Sequence, residues 1–251
     1  MSLTTTLRAG VAALALLASA QASATLVTSR AALGGDDFID WGQVPGATSV
    51  AQAHGLTSAL SVSSDQGLSA QVSNLPTPRM WRVSQGGCGE FNFPANFANC
   101  DAVLLSANTS DPANLISIAF ATPVAGGGAQ FAQAATYGDF TAFLSAYDST
   151  GTLLETFSLG GTTTGAADNS AVFLGISRQQ ADIARLDFSA VGFNRYFGIN
   201  RVELDRTAPT IGTVPEPSTL WAAGLALPLL LWRSRRRARG SSRVIVCPAS
   251  T

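Results

Sequence analysis

Between residues 25 and 206, apolar side chains recur at every second position rather than at the spacing of a helix. The pattern is clearest at residues 60–62, 68–72, 116–120, 186–188 and 202–204. Such alternation places one face of a strand in a core and leaves the other face polar. The runs at 102–107, 140–147, 153–159 and 172–176 are more uniformly apolar, as central strands are. We predict an all-β fold, a two-sheet β-sandwich or jelly roll of roughly ten strands.

Turn-forming residues separate these strands. The sequence Asp148-Ser149-Thr150-Gly151 predicts a hairpin loop in which Gly151 takes a positive φ. The glycines at 126–128 and the segment 160–167 predict loops. Residues 177–183 have the pattern of a helical turn, with Ser177 as its N-cap.

The N-terminal segment has the order of features of a secretory signal. One positive charge at Arg8 precedes an apolar run over residues 9–18, which is too short to span a bilayer. The small-residue site Ala22-Ser23-Ala24 follows. We predict a signal peptide over residues 1–24, removed by signal peptidase so that the mature chain begins at Thr25. The alternative is a buried N-terminal helix.

Three segments follow one another near the C-terminus. An apolar stretch over residues 220–232 reaches about 20 Å as a helix, against a hydrocarbon core of about 30 Å, so it is a marginal single transmembrane helix. By the positive-inside rule, the arginine cluster after it stops transfer and holds the C-terminus on the cytoplasmic side. The segments comprise the motif Val214, Pro215, Glu216, Pro217 and Ser218, the apolar stretch, and the cluster Arg233, Arg235, Arg236 and Arg237.

This order closely resembles the PEP-CTERM sorting signal of Gram-negative bacteria, over residues 214–239. The resemblance implies recognition by an exosortase, a membrane-embedded cysteine protease or transpeptidase, and export linked to extracellular polysaccharide. It implies an inner-membrane anchored precursor that is then delivered to the cell envelope or extracellular matrix. Pro228 within the apolar stretch and the tail at 240–251 depart from the pattern. An ordinary membrane anchor without processing is the alternative.

The domain boundaries follow from these segments. We predict an ectodomain over residues 25–206, a linker over 207–213 and a disordered tail over 240–251. From residue 25 to 214 there are eight arginines and fifteen acidic residues, a formal charge of −7. This acidic domain is not expected to bind nucleic acid. Lysine is absent from the chain, which excludes lysine bases, Schiff bases and P-loops.

The three cysteines divide between compartments. Cys88 and Cys100 lie in the exported part, and Cys247 lies beyond the arginine cluster. In an oxidising compartment the first two are expected to form a disulfide, whereas Cys247 stays a thiol. Closing a loop of this size stabilises a fold by about 3 kcal/mol in the chain-entropy model.

No catalytic set stands out. His54 is the sole imidazole and no nucleophile motif accompanies it, so we predict a protein that is not an enzyme. Paired carboxylates remain a route to glycoside cleavage. Flat aromatic faces bind sugars, and the candidate glycan contacts are Trp41, Trp81 and Tyr147.

We predict neither a cofactor nor a metal site. The acidic group Asp36, Asp37 and Asp40 offers oxygen ligands for a structural Ca²⁺, with Asp148 or Asp168 as remote partners. Against calcium, the EF-hand loop pattern is absent, and acidic residues at the start of a domain are commonly solvated.

Residues 116–204 also resemble exported bacterial β-sandwich ectodomains of the carbohydrate-binding, jelly-roll type. The resemblance rests on the strand at 116–120, the hairpin at 146–151, the segment 173–176 and the closing strand at 199–204. We therefore expect an exported, non-catalytic envelope or matrix protein associated with exopolysaccharide. A secreted glycosidase or lyase on the same scaffold is the alternative.

Overall fold

A computed structural model describes residues 23–207 except 47–58, 76–78, 87, 90, 108, 110, 134–136 and 194. His54, the sorting motif, the apolar stretch, the arginine cluster and the tail lie outside the described residues, as do the signal segment up to residue 22 and the linker beyond Thr207. The described chain forms an all-β domain with one short α-helix and one 3₁₀ turn.

The elements follow one another in this order: β1 Thr25–Val27, α1 Arg30–Leu33, β2 Asp37–Ile39, a 3₁₀ turn Trp41–Gln43, β3 Ala59–Ser63, β4 Ser69–Leu75, β5 Trp81–Ser84, β6 Ala102–Leu105, β7 Leu115–Val124, β8 Gly126–Gln133, β9 Gly138–Tyr147, β10 Leu153–Thr163, β11 Val172–Ser177, β12 Ile183–Val191, β13 Phe197–Ile199 and β14 Val202–Asp205.

Six strands form an antiparallel sheet in the order β10-β9-β12-β7-β4-β3. The alternation read from the sequence is visible in its burial. Along β9, Phe140, Ala142, Leu144 and Ala146 are buried, and the residues between them are half-buried. This sheet therefore has an apolar inner face and a mixed outer face, as the period of two predicts.

Eight strands form the second sheet, in the order β1-β11-β8-β13-β6-β5, with β14 pairing both β8 and β2. Strand β8 is buried at all eight of its positions. One of its edges pairs with β11, while the other is shared by β13 and β14. Two short strands thus cover one edge of the central strand, with Asn200 and Arg201 at the break between them.

The main core lies between the two sheets. Phe131 of β8 packs against Phe188 of the opposite sheet with ring centroids 5.7 Å apart, and against Phe197 at 6.0 Å. All three rings are fully buried. Burying one such side chain contributes about 1.5–3 kcal/mol, so the packing of this core stabilises the fold substantially.

A second apolar cluster covers the outer face of the eight-stranded sheet. On β6, Leu104 belongs to the main core, whereas Val103 and Leu105 belong to this outer cluster. Phe93 and Phe97, from the loop between β5 and β6, pack onto it. The loop therefore forms a third layer. A smaller outer cluster consists of Val27, Leu33 and Phe173.

The two-sheet sandwich predicted from the alternation is confirmed, and the jelly-roll connectivity stays a prediction. Among the described residues, no helix is long and apolar enough to cross a membrane. The predicted hairpin is present between β9 and β10, where Gly151 has a φ of 84°.

Three local predictions were wrong. Residues 126–128 are not a loop but the start of β8, because glycine allows a close approach of the neighbouring strands: a Cβ on Gly128 would lie 2.5 Å from Gly175 Cα. Of the loop predicted at 160–167, residues 160–163 instead continue β10, whereas 164–167 do lie outside any strand or helix. Residues 177–183 form no helix, since Ser177 still pairs with Thr25 at the end of β11.

Two short helical elements were not anticipated from the sequence. The α1 helix begins after Ser29, whose side chain accepts a hydrogen bond from Ala32 N, and ends at Gly34 in the left-handed region. Asp40 caps the 3₁₀ turn by accepting a hydrogen bond from Gly42 N. Both are too short to show helical periodicity.

We predict that Gly128→Ala lowers the free energy of unfolding by about 1–3 kcal/mol, because the added methyl group overpacks the β8–β11 contact. Gly160→Ala is the control, since a Cβ there meets nothing within 4 Å. Urea denaturation measures both variants. Equal stability of the two would contradict the assigned close approach.

Candidate functional site

The predicted sugar contact Trp41 lies in the core. Its side chain is fully buried, and its indole Nε1 donates a hydrogen bond of 2.9 Å to the carbonyl oxygen of Asn200. The ring supports the main chain at the break between β13 and β14. It has no face available to a ligand.

Trp81 is also buried, with 6% of its surface exposed. Its ring meets that of Tyr196 edge to face, with centroids 5.6 Å apart. Burial raises the pKa of the Tyr196 hydroxyl above its ordinary value. Trp41 and Trp81 are therefore packing residues, which corrects their assignment as glycan contacts.

Tyr147 is half-buried on the outer face of the six-stranded sheet. The Arg185 guanidinium lies 3.9 Å from its ring centroid, and so covers one ring face by a cation–π contact. Arg185 also pairs with Asp187 at 3.2 Å. The three predicted contacts thus lie in three separate places and form no common site.

A polar cleft that the sequence did not predict lies beside the break between β13 and β14. Its volume is about 310 Å³, at the lower end of the range of small-molecule sites. Gln130 lies on the outer face of β8, between Gly128 and Ala132. Gly128 is next to Phe173 of the smaller outer cluster, and Ala132 belongs to the larger outer cluster. The polar residues lining this cleft are Arg30, Asp40, Asp101, Asn169, Asn200 and Arg201.

The floor of the polar cleft is a buried hydrogen-bond network centred on Arg30. Its guanidinium donates to Glu203 Oε1 at 2.7 Å, to Gln130 Oε1 at 2.9 Å and to Asn200 Oδ1 at 2.7 Å. Gln130, Asn200 and Glu203 are all less than 9% exposed. Such burial is tolerated because each group has partners, and it fixes the side chains in one arrangement.

Asn200 joins this network to the sheet. Its Oδ1 also accepts a hydrogen bond of 3.2 Å from the Gln130 backbone N–H. This N–H group has no ladder partner, because it lies opposite the break between β13 and β14. Its Nδ2 donates to Asp101 Oδ2 at 2.9 Å and to Gln130 Oε1 at 2.8 Å. A side-chain amide makes about four hydrogen bonds, so Asn200 uses its full capacity.

The rim of the cleft contains both donors and acceptors. Arg201 lies 4.5 Å from the ring centroid of Phe38 and pairs with Glu203 at 2.7 Å. Asn169 accepts from Gln130 Nε2 through both its carbonyl oxygen and its Oδ1, at 3.2 Å. Asp40 and Asp101 line the same space. Because a sugar hydroxyl both donates and accepts, this mixed rim suits a polyhydroxylated ligand.

The predicted disulfide between Cys88 and Cys100 is present, with Cα atoms 5.4 Å apart. It joins two points of the loop that forms the third layer. Gln85 N donates to the Asp101 carbonyl at 3.0 Å, and Cys100 N donates to the Gln85 carbonyl at 2.9 Å. The crosslink therefore holds the segment that carries Asp101 into the cleft.

The acidic residues proposed for calcium have separate structural partners. Asp37 accepts from the Ser64 hydroxyl at 2.5 Å, and Asp36 accepts from Arg206 N at 2.9 Å. Within the described ranges, no three His, Cys, Asp or Glu side chains are placed to hold a metal. Hydrogen bonds from Thr150 lower the pKa of Asp148, and those from Ser170 lower the pKa of Asp168.

Sequence reasoning missed the cleft because its residues are far apart in the chain and share no motif. Gln130 and Asn200 carry the one available signal. Gln130 is a planar amide in the run 124–132, which is otherwise apolar or small, and Asn200 directly follows the apolar or small run 197–199. A buried amide in such a run needs partners, and that requirement points to a polar network.

Comparisons with known proteins do not extend these observations. No family model matches the sequence, and no curated protein does. A DUF4465 family protein from Bacteroides caccae matches with a TM-score of 0.37 and 9% identity, over 73% of this chain and 100% of the other. The CBM22-1–GH10 modules of Clostridium thermocellum xylanase 10B, solved with xylohexaose, match with a TM-score of 0.20 and 10% identity.

That second match covers 51% of this chain, and this chain spans about a quarter, 26%, of the xylanase chain. At these scores and identities, neither likeness provides a basis for assigning a function.

We predict that replacing both Cys88 and Cys100 by serine lowers the free energy of unfolding of the exported protein by about 3 kcal/mol, because the unfolded chain regains loop entropy. Ser149→Ala, at an exposed position of the β9–β10 turn, is the control and is expected to change nothing. Denaturation curves under non-reducing conditions compare the variants. An unchanged midpoint in the double variant would contradict a stabilising role of the crosslink.

We predict that Asp187→Asn stabilises the protein at neutral pH. Burial raises the pKa of Asp187, against the hydrogen bond from Ser117 and the charge of Arg185. The folded state therefore binds the proton more tightly than the unfolded state, so the ionised form at neutral pH opposes folding. The gain from asparagine should vanish as the pH falls towards about 4, where the unfolded carboxyl protonates.

The control for this experiment is Asp139→Asn, the same change on an exposed carboxylate of the same sheet. It should give no gain at any pH. Thermal unfolding from pH 4 to 8 tests the pair, and a loss of stability in Asp187→Asn at pH 7 would contradict the assigned cause.

Proposed function

We propose that this protein is an exported, non-catalytic component of the cell envelope or extracellular matrix. A PEP-CTERM type signal sorts it, and it binds exopolysaccharide in the polar cleft beside the break between β13 and β14. The ordered motif, apolar stretch and arginine cluster at residues 214–237 are the observation that carries the export part of this proposal.

Two features of the folded domain agree with export. The disulfide between Cys88 and Cys100 is of a kind that forms in oxidising compartments and is rare in the cytosol. The negative charge of the ectodomain fits a secreted product whose basic residues were concentrated in its targeting segments. Exosortase and signal peptidase are the processing partners under this proposal.

The polar cleft supports saccharide binding through its shape and its fixed side chains. A volume of about 310 Å³ suits one or two sugar units of a longer chain. Arg30, Gln130 and Asn200 are held by one another before any ligand arrives. Side chains that are already ordered lose little conformational entropy on binding, which favours affinity.

The rival proposal, a glycosidase or lyase, has one observation in its favour. Asp40 and Asp101 line the same cleft, and two carboxylates suffice for glycoside hydrolysis. Both, however, have structural partners. Asp40 Oδ1 accepts from Gly42 N at 2.6 Å, and Asp101 Oδ2 accepts from the buried Asn200 amide at 2.9 Å. These contacts suit groups that orient a ligand, so we favour binding over turnover.

We predict that deleting residues 215–237 abolishes surface delivery, because both the recognition motif and the anchor are lost. Replacing only Pro215, Glu216 and Pro217 by alanine should leave an uncleaved, membrane-held precursor, since the apolar stretch remains. Fractionation and immunoblotting separate these products. Unchanged surface delivery of the deletion variant would refute sorting by this segment.

We predict that Arg201→Gln weakens binding of the producing cell's exopolysaccharide by about tenfold or more, since a hydrogen bond from a charged group contributes about 1.5–3 kcal/mol. Asn169→Ala should weaken it by a smaller factor. The control, Gln180→Ala, alters an exposed side chain elsewhere. Calorimetric titration measures all three.

The same samples test the rival function. If the wild-type protein releases new reducing ends and Asp101→Asn does not, the protein is a catalyst and not only a binding protein. Equal affinity of all variants for the exopolysaccharide would show that the cleft is not the binding site.

A further inference from the structure

The first described residues of the chain are part of the fold. Ser23 and Ala24 directly precede β1, which pairs with β11 from Thr25 to Val27. Ala24 is half-buried and packs against the main core between the two sheets. Ser23 and Ala24 also line a cavity of about 610 Å³, formed with the β9–β10 hairpin and the segment after β11.

Three overlapping small-residue sites precede β1 in the sequence. They are Ala18-Ser19-Ala20, Ala20-Gln21-Ala22 and Ala22-Ser23-Ala24, and each has the small-x-small form that signal peptidase recognises. All three fit the pattern, and the expected cleavage after Ala24 corresponds to the last of them. Cutting after Ala24 would remove a residue that packs on the core, whereas cutting after Ala22 leaves it in the mature protein.

The charges around the cavity also favour keeping Ser23. The ionisable groups in its lining are Asp148, Glu155, Arg178 and Asp182. The one guanidinium, Arg178, is buried and pairs with Asp182 through two hydrogen bonds of 2.6 and 2.8 Å. The carboxylates of Asp148 and Glu155 are thus left without a compensating charge among the residues that line the cavity.

Among the described residues, the donors to those two carboxylates are local ones. Asp148 accepts, through Oδ1, from the Thr150 hydroxyl and from the main-chain N–H groups of Thr150 and Thr152. These bonds lower its pKa and keep it ionised. Glu155 accepts from Thr156 N at 3.2 Å. An ammonium group in the wall of this cavity would be attracted to both carboxylates.

We infer that signal peptidase hydrolyses the bond between Ala22 and Ser23, and that the mature chain therefore begins at Ser23 rather than at Thr25. This inference rests on the proposed export. One water molecule is consumed, the peptide C–N bond breaks, the leader retains the Ala22 carboxylate, and Ser23 acquires an α-ammonium group. That group lies in the wall of the acidic cavity, next to the hairpin that joins β9 and β10.

The test is the mass of the mature N-terminus of the full chain, exported by its own cell. A peptide beginning at Ser23 is expected. One beginning at Thr25 would overturn the inference and leave the export proposal intact, whereas a chain that keeps its whole leader would overturn both.

A matched pair of variants separates the two sites. Of the two sites that end at Ala22 and at Ala24, Ala20→Gln alters only the first. This variant should make precursor accumulate. Ala24→Gln alters only the site that ends at Ala24, and should be processed at the normal rate and position. The reverse pattern, in which Ala24→Gln blocks processing, would overturn the inference.

The pKa of the Ser23 α-amine tests whether this group lies in the acidic cavity. In the exported protein, the α-amine should titrate above the ordinary value of about 7.7–8.0, because carboxylates stabilise its charged form. Its rate of acylation as a function of pH gives this pKa. Glu155→Gln should bring the pKa back towards the ordinary value, and an unshifted amine in the wild-type protein would exclude its place in the cavity.

Discussion

The pairing of β8 is the constraint on which the eight-stranded sheet depends. This strand is buried on both faces, and its two edges carry β11 on one side and both β13 and β14 on the other. Glycines at its start let the neighbouring backbones approach, and Phe131 near its end joins the two sheets. Because one edge is shared by two short strands, the ladder is interrupted where they meet.

That interruption produces the polar cleft. The Asn200 side chain bonds the backbone of β8 at the break, and in doing so brings Arg30, Gln130 and Asp101 together. A break in a sheet would otherwise leave backbone groups without partners, which is costly when they are buried. The Asn200 side chain therefore does two things: it supplies a hydrogen-bond partner to the backbone of β8, and it orders the side chains that a ligand would contact. The disulfide loop holds Asp101 from the other side, so the geometry of the cleft depends on the Cys88–Cys100 crosslink.

The sequence predicts those parts of the fold that a local pattern determines. Strands at 116–120 and 186–188 alternate because one sheet face is buried, and the hairpin at 148–151 has residues that favour its turn. The glycines at 126–128 were misread because glycine serves both turns and close strand contacts, and only the neighbours decide which. The aromatic candidates failed for a similar reason. Trp41 and Trp81 gain more from burial than from exposure, and no local pattern reveals that choice.

The central claim is that the cleft beside the break between β13 and β14 is the saccharide site of an exported protein. Amide chemical-shift mapping tests it most directly, using the exported protein and oligosaccharides prepared from the producing cell's own matrix. The claim predicts that the shifts cluster at Asp101, Asn169 and Arg201, on the outer side of the eight-stranded sheet. Shifts confined to the face around Tyr147, or none at saturating oligosaccharide, would contradict it.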